Sequence, residues 1–137
     1  IFGGAVVVAG YVLYNMHSLM MESRQARVRA VVEYATSMVA DYAHRAEMGE
    51  ISEEEAKSEI LSNIRSMRYG KDDYIWINDM NPTMVMHPFK PQLDGTNLAD
   101  SVDPHGKHLF VEFVKVVKEH GEGFVDYMPN SLLDNLT

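Results

Sequence analysis

Residues 1–21 carry no charged side chain, and Ile1–Tyr14 is apolar apart from its glycines. As one helix the segment measures about 31 Å at 1.5 Å per residue, close to the roughly 30 Å hydrocarbon core of a bilayer, and it predicts a transmembrane helix. Asn15, His17 and Ser18 dilute its second half, so a signal-peptide core or a buried helix are the alternatives. The anchor is favoured because no small-x-small cleavage site follows and the helical pattern runs on unbroken. The chain begins at Ile1 with neither an initiator Met nor a basic flank, so charge asymmetry assigns no orientation and further residues are expected upstream.

Beyond this segment Val28, Val31, Val32, Ala35, Val39, Tyr42 and Ala46 recur at the spacing of one helix face, with Arg24, Arg27, Asp41, His44 and Arg45 on the others. Neither Pro nor Gly interrupts Tyr11–Met48, so one helix of about 57 Å is predicted, either a stalk rising from the membrane or a plain core helix. Gly49 is a natural stop. Ser52 and Glu55 form a capping box that opens a second helix to about Arg68, with Ala56, Ile60, Ile64 and Met67 as its buried stripe and Gly70 as its C-terminal cap.

The period then changes. Tyr74–Asn78 is dense in β-branched and aromatic residues, Asp79-Met-Asn-Pro82 supplies a turn, and Thr83–His87 reads as a second strand. A four-residue loop would set Asn78 opposite Thr83, Trp76 opposite Val85 and Tyr74 opposite His87 on one face. Ile75, Ile77, Met84 and Met86 would form a purely apolar face packed on the helices. The mixed face suits a small-ligand pocket, in which aromatic walls exclude water and a few polar groups fix orientation; equally, Tyr74 and Trp76 suit an ordinary core with backbone partners for their polar atoms. Residues 88–104, rich in Pro, Asp and Asn, predict a loop draped over that face. Asp103 and Pro104 would cap and open a third helix ending at Gly121, and Gly123–Met128 would be a third strand.

Composition narrows the function. The 137 residues suffice for one domain, and the absence of cysteine excludes disulfides, thiolate metal sites and thiol nucleophiles. A formal charge of -8 and no cluster of Lys and Arg disfavour a nucleic-acid partner. His105 and His108 lie three apart beside Asp103, but His105 falls in a turn-like Asp-Pro-His-Gly stretch with no third ligand fixed nearby, so a solvated helix start outweighs a metal site. No nucleophile elbow, phosphate-binding glycine loop or His-Glu-x-x-His pattern occurs. Neither catalysis nor a cofactor is expected.

Several ordered motifs, RSMRYGKDDYIWIND over Arg65–Asp79, Met84-Val-Met-His-Pro88, Lys90-Pro91, Asp103-Pro104, Gly106-Lys107 and Gly121–Tyr127, resemble the single Cache sensor domain of bacterial methyl-accepting chemotaxis receptors. The resemblance covers the N-terminal anchor to about Met128. It implies an α+β fold, a long N-terminal transmembrane and stalk helix packed on a PAS-like antiparallel sheet. It also implies a periplasmic sensor domain held at the bacterial inner membrane, a small organic acid or similar metabolite as ligand, signalling through the membrane helices, and a homodimer. The family's pocket lining corresponds to Tyr74 and Trp76 on the first strand, His87 and Lys90 after the second, and Asp126 with Tyr127 on the third, with Arg65 or Arg68 as substitutes for Lys90.

The expected organisation is a membrane helix at 1–21, an incomplete single Cache domain at 22–128 and a divergent tail at 129–137, where the family's Trp-Pro segment and two further strands are not found. A sheet truncated in this way is expected of a fragment or a frameshifted reading. An anchored dimerisation module without ligand, or the sensor of a histidine kinase or cyclase, are the competing functions.

Overall fold

The computed structural model describes residues 2–126, with side chains from residue 20 onward. It is α+β, with a long N-terminal helix and small antiparallel sheets. The chain separates into two units, Ile1–Ile60 and Leu61–Thr137.

In the first unit α1 runs unbroken over Phe2–Glu47, 46 residues. Along it Val28, Val31, Val39, Tyr42 and Ala46 are half-buried and Ala35 is buried, as the apolar stripe predicts, while Val32 is exposed. Among the described residues no helix is long and apolar enough to cross a membrane. Residues 2–21 are helical, and their glycines with Asn15, His17 and Ser18 dilute the apolar content. The stop after α1 is made by backbone bonds from Gly49 N to Ala46 O and from Glu50 N to Arg45 O, each 3.0 Å. The capping box is realised as expected: Ser52 Oγ accepts from Glu55 N at 3.1 Å while Glu55 Oε2 accepts from Ser52 N at 3.0 Å, opening α2 at Glu53–Ser66. Ala43, Ala46, Ala56 and Ile60 face one crevice between the helices, the small side chains allowing close approach.

The second unit begins within α2 and departs further from expectation. α2 stops at Ser66, and Gly70 (φ 59°) is the turn of a hairpin between β1 (Arg68–Tyr69) and β2 (Asp73–Tyr74) rather than a helix cap. The predicted strand 74–78 is therefore split: its start pairs with β1, and β3 (Ile77–Asn78) pairs with β4 (Met84–Met86). The register also differs. Asp79 Oδ1 accepts from Asn81 N at 2.8 Å and Thr83 N at 2.9 Å, and Asp79 N donates to Thr83 O at 2.9 Å, which draws Thr83 into the turn. Asn78 consequently lies opposite Met84 and Ile77 opposite Met86, with a bulge between them.

The predicted division into a polar and an apolar face fails at Trp76. Trp76 shares the side of Asn78, to whose Oδ1 its Nε1 donates at 3.1 Å, and packs against the core of Met84, Leu93, Leu98, Leu109 and Phe110. β4 itself alternates as expected: Met84 and Met86 are buried and Val85 is exposed. The segment 88–104 is not simply draped over a face. It contains a 3-10 turn at Pro91–Leu93, a bridge from Asn97 to Thr83 beside β4, and two leucines of the core.

Asp103 does not cap the third helix. α3 spans Leu109–His120, and Asp103 Oδ1 instead accepts from His105 N and Lys107 N, both at 2.9 Å, closing a turn that Gly106 completes at φ 81°. Gly106 in the left-handed region cannot continue a helix, which is why the start moves to Leu109. The end at Gly121 is as predicted. Gly123–Asp126 forms no strand; Val125 packs on the core, and Gly123 passes so close to Val116 that a Cβ would lie 2.4 Å from Val116 Cγ1. Tyr127, Met128 and the tail at 129–137 lie outside the described residues.

Candidate ligand site

The loop following β4 makes a compact turn from His87 to Asp94. His87 is completely buried. Its Nδ1 accepts from the backbone N–H groups of Phe89 at 3.2 Å and Lys90 at 3.0 Å. A nitrogen that accepts two hydrogen bonds carries no proton, so the neutral ring holds its proton on Nε2. Burial pushes the His87 pKa below its ordinary value, the nearby Lys90 charge lowers it further, and Asp94 partly opposes both. The ring is thus neutral near pH 7. Its Nε2 is buried with no hydrogen-bond partner among the described residues, and the same holds for Lys90 Nζ.

Aromatic rings flank His87. Trp76 stacks on His87 at 6.4 Å and 11°, and Tyr74 meets His87 edge-on at 5.2 Å. Trp76 continues inward to Phe113 at 5.8 Å and Phe110 at 6.3 Å, while Tyr74 continues outward to Phe89 at 4.9 Å. Phe89 is 55% exposed and lies beneath the Arg68 guanidinium, 4.5 Å from its ring centre.

Tyr74, Trp76, His87 and Lys90 are therefore brought together, as expected, though the first two reach His87 through the bulge and the split strand rather than across a regular ladder. Asp126 is exposed, and its backbone carbonyl accepts from Lys107 Nζ; no described contact joins it to the cluster. Tyr127 lies outside the described residues. Arg65 pairs with Asp94 at 3.7 Å, and Arg68 donates to the carbonyls of Arg65 and Met67. Phe89, Phe113 and Asp94 were not singled out by the sequence. Phe113 was readable as an inward helix position, whereas Asp94, beside Gly95, carries only a turn signal.

Residues 20–130 match the single Cache domain 2 family. The chain belongs to that family. Its resemblance to chemoreceptor sensor domains is thereby established. The methyl-accepting chemotaxis protein McpP of Pseudomonas putida is 35% identical over 122 residues, a match that covers 89% of this chain and 22% of McpP, so the chain spans about a fifth of that relative's length. A solved periplasmic sensor domain of a chemotaxis protein is 50% identical with a TM-score of 0.77, over 82% of this Cache chain and 78% of its own. A Cache chemosensory domain solved to explain carboxylic acid recognition is 33% identical with a TM-score of 0.75, over 84% and 80% of the two chains.

Proposed function

We propose that this Cache domain is the periplasmic sensing module of a membrane-anchored bacterial chemoreceptor, and that it binds a small carboxylate through His87 and Lys90. The observation that carries this reading is the pair of buried donors with no partner among the described residues. A buried ammonium without a counter-charge is costly, and a buried N–H without an acceptor costs about 1–3 kcal/mol. One carboxylate answers both, accepting from Nε2–H with one oxygen and from Nζ with the other in charge-assisted bonds. Trp76 and Tyr74 supply walls for a short apolar tail. The related domain studied for carboxylic acid recognition supports the ligand class.

Asp126 and Tyr127 are retained as the proposed third wall, residues 1–21 as the proposed membrane helix, and a homodimer as the working assembly. Calorimetric and thermal-shift titration of the full chain with acetate, propionate, succinate and an amino-acid panel tests the reading. A ligand at a hundredfold excess over its Kd adds about 2.7 kcal/mol of stability. A folded chain that shifts with none of these compounds would leave an anchored dimerisation module as the better reading.

A further inference from the structure

Both donors, unpartnered among the described residues, sit on the single loop 87–94, whose far end is held to β4 by the backbone bond from Gly95 N to Met84 O at 2.7 Å and to the His87 backbone by one side chain. Asp94 Oδ1 accepts from the His87 backbone N–H at 2.8 Å, tying the end of the loop to its start. Its other oxygen, Oδ2, lies 3.7 Å from Arg65 Nη2 in the last turn of α2, which fixes the carboxylate from outside. Between these ends Leu93 N donates to Lys90 O at 3.0 Å, Asp94 N donates to Pro91 O at 3.1 Å, and Leu93 is buried in the core. The His87 ring is gripped in turn by the Phe89 and Lys90 N–H groups of the same loop.

Resting on the carboxylate reading above, we propose that Asp94 is a positioning residue that holds His87 Nε2–H and Lys90 Nζ in converging register before any ligand arrives. The physical basis is preorganisation: a loop already in its bound geometry loses no conformational freedom when it binds, so the ligand's contacts appear in full as affinity. Without the staple, Phe89 and Lys90 N–H can turn away from Nδ1. The imidazole is then able to carry its proton on either nitrogen, and the two donors no longer point to one place. Arg65 acts on the staple rather than on the ligand.

The test uses the full chain with D94A and D94N, titrated with acetate and followed by 15N spectra of the histidine rings without ligand. Asn keeps an oxygen at the same place and so preserves the bond to His87 N. D94A is expected to bind acetate about tenfold or more weakly, equivalent to about 1.4 kcal/mol, and its ligand-free His87 is expected to show mixed tautomers. D94N should recover most of both losses. Equal acetate affinity in wild type and D94A, or an unchanged His87 ring spectrum in D94A, would overturn the positioning role. A wild-type chain that ignores acetate would sink the carboxylate reading instead, because the ring spectrum reports the staple without any ligand.

Discussion

Replacing Lys90 by Met separates what the lysine does for binding from what it does for folding, because the two effects have opposite signs. The side chain is half-buried and its Nζ is wholly out of solvent with no partner among the described residues. An unmade buried hydrogen bond costs about 1–3 kcal/mol, and a charge costs more, so a linear apolar chain of similar length should raise the stability of the ligand-free protein by about 1–3 kcal/mol. In the proposed carboxylate complex the same ammonium would make a charge-assisted bond worth about 1.5–3 kcal/mol, so affinity for a carboxylate should fall about 10- to 150-fold. Urea denaturation of the free protein and calorimetric titration with acetate measure the two quantities on one preparation. The K90M chain would then be the more stable and the weaker binder. Lower stability with unchanged affinity would refute the reasoning, since it would mean that Nζ already has a favourable partner and does not face the ligand.

Other perturbations test the frame around the site. His87 has its pKa depressed in the folded chain, so its contribution to stability is present above the unfolded value of about 6.5 and is lost as pH falls through the lower folded value; chemical denaturation at pH 7.5 and pH 5 should show the loss, and H87Q should reduce it. Gly123→Ala drives a methyl into Val116 and should cost about 1–3 kcal/mol by thermal denaturation, with an unaltered Tm counting against the close approach. Ser52→Ala removes one half of the capping box and should destabilise α2 by about 1 kcal/mol, visible as faster amide exchange in its first turn.

The features legible in the sequence are those set by short-range chemistry. Ser52 and Glu55 cap each other within one turn, Gly121 ends α3, and Met84, Val85 and Met86 alternate as a half-buried strand must. What escaped depends on competition between distant groups. The carboxylate of Asp103 suits a helix cap by position, but Gly106 makes a closed turn available first, and the helix starts only at Leu109. The carboxylate of Asp79 took the Thr83 N–H, and one displaced residue carried Trp76 from the assumed polar face to the core. In the proposed site, Tyr74, Trp76, His87 and Lys90 are named by resemblance, whereas Asp94 and Phe89 meet a backbone N–H and a guanidinium that no periodicity reveals.

The double acceptance at His87 Nδ1 bears on what such a receptor would report. With that nitrogen occupied by two amides, the imidazole has no open seat for a second proton unless the loop is broken. Over the neutral range the imidazole therefore adds no charge of its own to the proposed site. On the proposed carboxylate reading, binding would show little cross-talk from ambient pH until the medium becomes acidic enough to unfasten the loop.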